Sequence, residues 1–150
     1  MKKFHFSALV GLFLGVLSLS LSAAQFTTVG DYVIHYNAIN TSILTTDVAK
    51  QYKLSRSKHR GLLNISVRKK GSAKNPQDHA VAAKVSATAT NLNGQLQNIK
   101  IKEVREGEAI YYIGEVRIDN AETLNFKVDV DAEHQGKTHE IKFKQEFFID

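Results

Sequence analysis

Past residue 30 the chain alternates apolar and polar side chains with a period of two, which is the pattern of strands that bury one face. Tyr32, Ile34, Tyr36 and Ala38 stand opposite Val33, His35 and Asn37. Leu63, Ile65 and Val67 stand opposite Asn64, Ser66 and Arg68. Val81, Ala83, Val85, Ala87 and Ala89 form a third apolar face, and Ile99 and Ile101, set between lysines, form a fourth. Three further runs follow: Ile110, Tyr112, Gly114, Val116 and Ile118; Leu124, Phe126, Val128 and Val130; and Ile141, Phe143, Phe147 and Ile149. Seven strands are predicted.

The residues between these runs are turn formers. Asn93-Gly94 suits a tight hairpin, since both residues tolerate positive φ. Arg105 to Glu108, Asp119-Asn120 and His134 to Lys137 separate the later strands, so the second half reads as a meander. One segment breaks the pattern. Thr45 to Tyr52 offers a threonine cap, Asp47 in the first turn, and Val48 and Tyr52 four residues apart, which predicts a short helix crossing between the first two strands. The fold expected is an all-β antiparallel sandwich of about seven strands with that one helix.

The first two dozen residues change the picture of where the chain works. Lys2 and Lys3 precede an apolar run from Phe6 to Leu21, and Ser22-Ala23-Ala24 supplies small residues. This is the three-part pattern of a cleavable signal peptide, with cleavage expected before Gln25. The run falls short of the roughly 20 residues a spanning helix needs. Residues 1–24 are therefore read as leader and 25–150 as a single domain, exported and without stable membrane insertion after cleavage. The net charge is +5, of which Lys2 and Lys3 supply two, leaving +3 on the mature chain. That modest excess, in an exported protein, gives no argument for nucleic acid as a partner.

Candidate chemistry is sparse. The chain has no cysteine, so neither a disulfide scaffold nor lipid attachment at a cysteine is open to it. The mature chain also lacks methionine, and His35, His59, His79, His134 and His139 show no ligand spacing; no metal or cofactor is expected. No G-x-S-x-G, H-E-x-x-H or glycine-rich phosphate loop is present. Glu103, Glu106 and Glu108 crowd one turn and read as a solvated face. Arg56, Lys58, His59 and Arg60 form the densest basic cluster.

Two segments are distinctive: His35-Tyr36 with Ala38 and Asn40, and Arg56-Ser57-Lys58 followed by Gly61-Leu62-Leu63-Asn64-Ile65 and Val67. With Asp47 to Tyr52 between them, they resemble a family of small exported proteins from Gram-negative bacteria known only as a domain of unknown function. The resemblance spans the mature chain. It implies a periplasmic location and an immunoglobulin-like fold, and it implies no activity.

The polar residues within these segments are the candidate binding residues: His35, Asn37, Asn40, Arg56, Ser57, Lys58 and Asn64. A buried amide without partners costs about 1–3 kcal/mol, so they are expected either to brace the crossover or to form a polar surface. The function expected is a non-catalytic binding or accessory module for a protein partner or envelope component. The alternative is a small-ligand protein or enzyme with a polar site around His35 and Arg56.

Overall fold

The computed structural model describes residues 25–149; the expected leader, 1–24, lies outside them. The strands are β1 (Gln25–Val29), β2 (Tyr32–Asn40), β3 (Arg60–Lys69), β4 (His79–Ala80), β5 (Ala83–Asn91), β6 (Leu96–Ile99), β7 (Lys102–Glu106), β8 (Ala109–Arg117), β9 (Glu122–Ala132) and β10 (His139–Phe147). A 3₁₀ turn, Thr41–Ile43, and a helix α1, Thr46–Gln51, lie between β2 and β3. One sheet has the order β1-β2-β3-β8-β7, with β4 paired to the end of β3; the other has the order β10-β9-β5-β6. Every pairing is antiparallel.

The seven apolar faces read from the sequence meet between the two sheets. Ile34, Leu63, Ile65 and Val67 from one sheet and Leu124, Phe126, Val128 and Val130 from the other are sealed from solvent. Phe126 stacks on Phe143 at 4.9 Å and meets Phe147 edge-on at 6.4 Å. Phe143 also reaches Tyr36 at 4.8 Å, which carries the aromatic contact across to the first sheet. The fold is the all-β antiparallel sandwich that the alternation implies.

The strand count rises to ten for identifiable reasons. β1 precedes the first apolar run, so α1 joins the second and third strands rather than the first and second. The run at Ile99 and Ile101 is two strands: β6 ends in one sheet and β7 begins in the other, with Lys100-Ile101 as the passage between them. Gly114 makes that passage possible, because a Cβ there would lie 2.4 Å from Ile99 Cγ2 and 3.0 Å from the Lys100 carbonyl. The run from Val81 is divided in the same way. Val81 N–H donates to Val67 in the first sheet, and the Ala82 carbonyl accepts from Glu133 in the second. The second half is thus a series of hairpins placed alternately in the two sheets, not a meander within one.

Thr45 caps α1 as its sequence implies, its Oγ1 accepting from Val48 N–H at 3.3 Å. A six-residue helix cannot hold itself; packing holds it. Val48, Ala49 and Tyr52 join Ile39, Leu44, Leu62 and Ile113 in a second, smaller core on the outer face of the first sheet. Tyr52 OH also donates to Glu106 on β7, and Lys102 Nζ donates to the Tyr52 carbonyl. Burial and then the Glu106 carboxylate push the Tyr52 hydroxyl well above the ordinary tyrosine range.

Candidate functional site

The small core covers only half of the outer face of the first sheet. Ile39 on β2, Leu62 on β3 and Ile113 on β8 lie under α1. One pleat further along the same strands the face turns polar. Asn37 pairs with Asn64 and His35 with Ser66 across β2 and β3, and Asn64 pairs with Ile113 on its other side. Period-two alternation puts Arg68 on the same face of β3, and Tyr111 on the same face of β8 as Ile113.

Asn64 is the unusual member of this strip. It is 9% exposed, and its Oδ1 is buried with no hydrogen-bond donor. An acceptor left in that condition costs about 1–3 kcal/mol. The sequence places the carboxamide there because β3 alternates strictly around it, fixed by Leu63 and Ile65 in the main core. Burial, and secondarily the Arg68 guanidinium, lowers the His35 pKa. The imidazole is therefore neutral at pH 7, with one N–H donor and one acceptor nitrogen. Its ring lies 5.9 Å from that of Phe26 on β1. Burial and the Glu106 carboxylate raise the Tyr111 hydroxyl, with Arg68 working against them. The strip is a hydrogen-bonding surface of neutral amides, imidazole and hydroxyl with one cation at its border.

The structure divides the seven sequence-derived candidates into two groups. His35, Asn37 and Asn64 share the strip. Asn40, Arg56, Ser57 and Lys58 belong to the ends of the crossover, five residues or about 16 Å further along β2 than His35. Asn40 lies on the opposite face of β2 and donates its Nδ2 to the Phe148 carbonyl at 2.7 Å. Ser57 is tied through its backbone: Thr41 Oγ1, fully buried, accepts from Ser57 N–H at 3.0 Å and donates to the Ser57 carbonyl at 3.1 Å. Arg56 donates to Thr46 Oγ1 at 3.2 Å and lies 3.5 Å from the Ser42 carbonyl. Lys58 is exposed.

Ser66, Arg68 and Tyr111 are members of the strip that the sequence reading did not assign to a site. Their signal was the alternation itself, which sets Ser66 and Arg68 on the face of Asn64. The acidic turn is accounted for within the fold. Glu103 accepts from Arg105 at 2.5 Å and from Tyr112 at 3.2 Å, and Arg105 holds its carboxyl below the usual range. Glu106 accepts from Tyr52 and Gln51.

The chain belongs to the family described as a domain of unknown function, DUF4426, whose model matches residues 26–150. Among solved structures it is similar to a DUF4426 family protein from Pseudomonas aeruginosa, with 32% identity over 87% of this chain and 98% of that one and a TM-score of 0.72. It is also similar to FetP of uropathogenic Escherichia coli strain F11, produced recombinantly in the periplasm, with 10% identity, 83% and 93% coverage and a TM-score of 0.59. A copper-bound variant of FetP gives 10% identity, 83% and 95% coverage and a TM-score of 0.60. At that identity the likeness to FetP is one of fold. No curated protein matches the chain.

Proposed function

We propose that the mature chain is a periplasmic, non-catalytic recognition module that binds a protein partner or envelope component through the polar strip beside α1. The observation that carries this reading is Asn64, a carboxamide held nine-tenths buried with an unpartnered acceptor at the centre of a hydrogen-bonding surface. The Oδ1 itself is sealed, so a partner recovers what the isolated chain forgoes by drawing the carboxamide outward and donating to it. The address is supported by the family match, which starts at residue 26, just behind the expected cleavage point. The copper of the FetP variant belongs to that protein. Among the described residues no three His, Cys, Asp or Glu side chains gather to hold a metal ion.

Asn64→Val tests the reading. It removes the orphaned acceptor, so the unfolding free energy should stay level or rise by up to about 1 kcal/mol. A photo-crosslinking residue at Ser66 should capture a partner in intact cells, and Asn64→Val should abolish the adduct. A stability loss of more than about 2 kcal/mol with an unchanged adduct pattern would make Asn64 a structural residue and overturn the proposal.

A further inference from the structure

The sandwich has four outer edges, and they are not protected alike. β7 carries Lys102, Glu103, Arg105 and Glu106, and β10 carries Glu140, Lys142, Lys144 and Glu146. β6 has only four residues before the chain leaves its sheet. Charge and shortness are the usual guards against edge-to-edge pairing. β1 is also short, but Gln25-Phe26-Thr27-Thr28-Val29 has no charged side chain and no proline, its one charge being the α-amino group that the expected cleavage leaves on Gln25, and it pairs with β2 along its whole length. Its one large apolar side chain, Phe26, is 62% exposed and stands over His35 at the border of the polar strip.

We propose that β1 is a strand-addition edge that accepts an extended, uncharged segment of a protein partner as a further strand of the first sheet. This rests on the reading of the chain as a recognition module and specifies how a protein partner engages it. In such addition the backbone groups of the edge supply the bonds, while side chains at alternate positions supply selectivity. Here the outward positions are Phe26 and Thr28, so an apolar or β-branched residue on the incoming strand fits beside them. The absence of charged side chains on β1 means that affinity comes from backbone bonds and apolar contact rather than from side-chain ion pairs. Five residues make a strand about 17 Å long, so the added strand gives a weak, transient contact, which suits a short segment of another protein rather than a second globular copy needing roughly 1,000 Å².

The test uses a blocked, uncharged synthetic peptide of alternating threonine and valine, and a matched peptide with proline at alternate positions. The first should slow amide hydrogen exchange in β1 by about tenfold, equally at low and high salt, and the proline peptide should have no effect. The double variant Phe26→Lys with Thr28→Lys gives β1 the charges that β7 and β10 carry. It should unfold at the wild-type temperature, since both positions are exposed, and lose the protection. Unchanged β1 exchange with the threonine–valine peptide would overturn the proposal while leaving the Ser66 adduct, and so the recognition reading, intact. A salt-sensitive effect, or a chain that sediments as a dimer through β1, would overturn the proposed occupant.

Discussion

The first sheet is flanked by two apolar layers built by different means. The inner layer is written continuously along the strands and closes against nine residues of β10, eleven of β9 and nine of β5. The outer layer is a patch of seven buried residues, three on the strands and four on the crossover. Alternation alone produces the inner layer. The outer one exists because a six-residue helix has been laid over Ile39, Leu62 and Ile113, the apolar end of a face that turns polar further along the strands. Where the helix stops, Asn64 is left at the margin of the patch, nine-tenths buried and without a partner for its acceptor. A candidate binding surface thus arises as the edge of a structural patch.

Mutations in the two layers should separate them. Phe126→Ala removes a ring that is 1% exposed and contacts both Phe143 and Phe147, and should cost about 3–5 kcal/mol in chemical denaturation. A loss below about 1 kcal/mol would mean that the two layers contribute equally little. Leu62→Ala, in the outer patch, should cost about 2–3 kcal/mol. Its sharper readout is local: amide protection should fall in 41–54 while the β9–β10 pairing stays closed. If protection falls evenly across both sheets, the outer layer is not a separate unit.

Arg56→Ala should lower stability by less than about 1 kcal/mol, because its guanidinium is exposed and its bond to Thr46 is surface-screened. A larger loss in thermal unfolding would show that the crossover depends on this residue. The smallest effect concerns pH. Burial lowers the His35 pKa in the folded state from 6.5, so in the interval below that value the unfolded chain holds the extra proton. The stability linked to His35 is complete above pH 6.5 and declines as pH falls through it toward the lower folded value. His35→Gln should flatten that part of the pH–stability curve, and an unchanged slope would place the titration elsewhere.

Much of this architecture is legible in the residues, and the exceptions have physical causes. Phe126 and Ile65 declare their face because each sits within an unbroken alternation. Asn93-Gly94 declares its hairpin, and Gly94 has a φ of +80°. β1 escaped notice because Phe26, Thr27, Thr28 and Val29 do not alternate, and as an edge its side chains need not. The passage at Lys100-Ile101 was hidden because Ile99, which ends β6, and Ile101, which precedes β7, both contact the main core although the two strands lie in different sheets. The site was harder. Asn37 and Asn64 were recognisable as polar residues in buried strands, but joining them to Tyr111 requires the β3–β8 pairing, which periodicity does not encode. Arg56 drew attention through its position in a distinctive motif, and its bonds proved to be local.

The passage over Gly114 also bears on how the molecule reaches its native state. The chain fills the two sheets in turn, β5 and β6 in one, β7 and β8 in the other, then β9 and β10 back in the first of these. β3 pairs with β2 early in the chain but finds β8, its other neighbour, only when Leu63 meets Gly114. Neither sheet can be completed before the polypeptide has crossed between them and returned. Contacts of such long sequence separation delay closure, so refolding belongs in the millisecond-to-second range of all-β sandwiches rather than the microsecond range of helical bundles. A fragment ending at Ile99 would lack the strands on which both layers close, and such a fragment should not fold as half a domain.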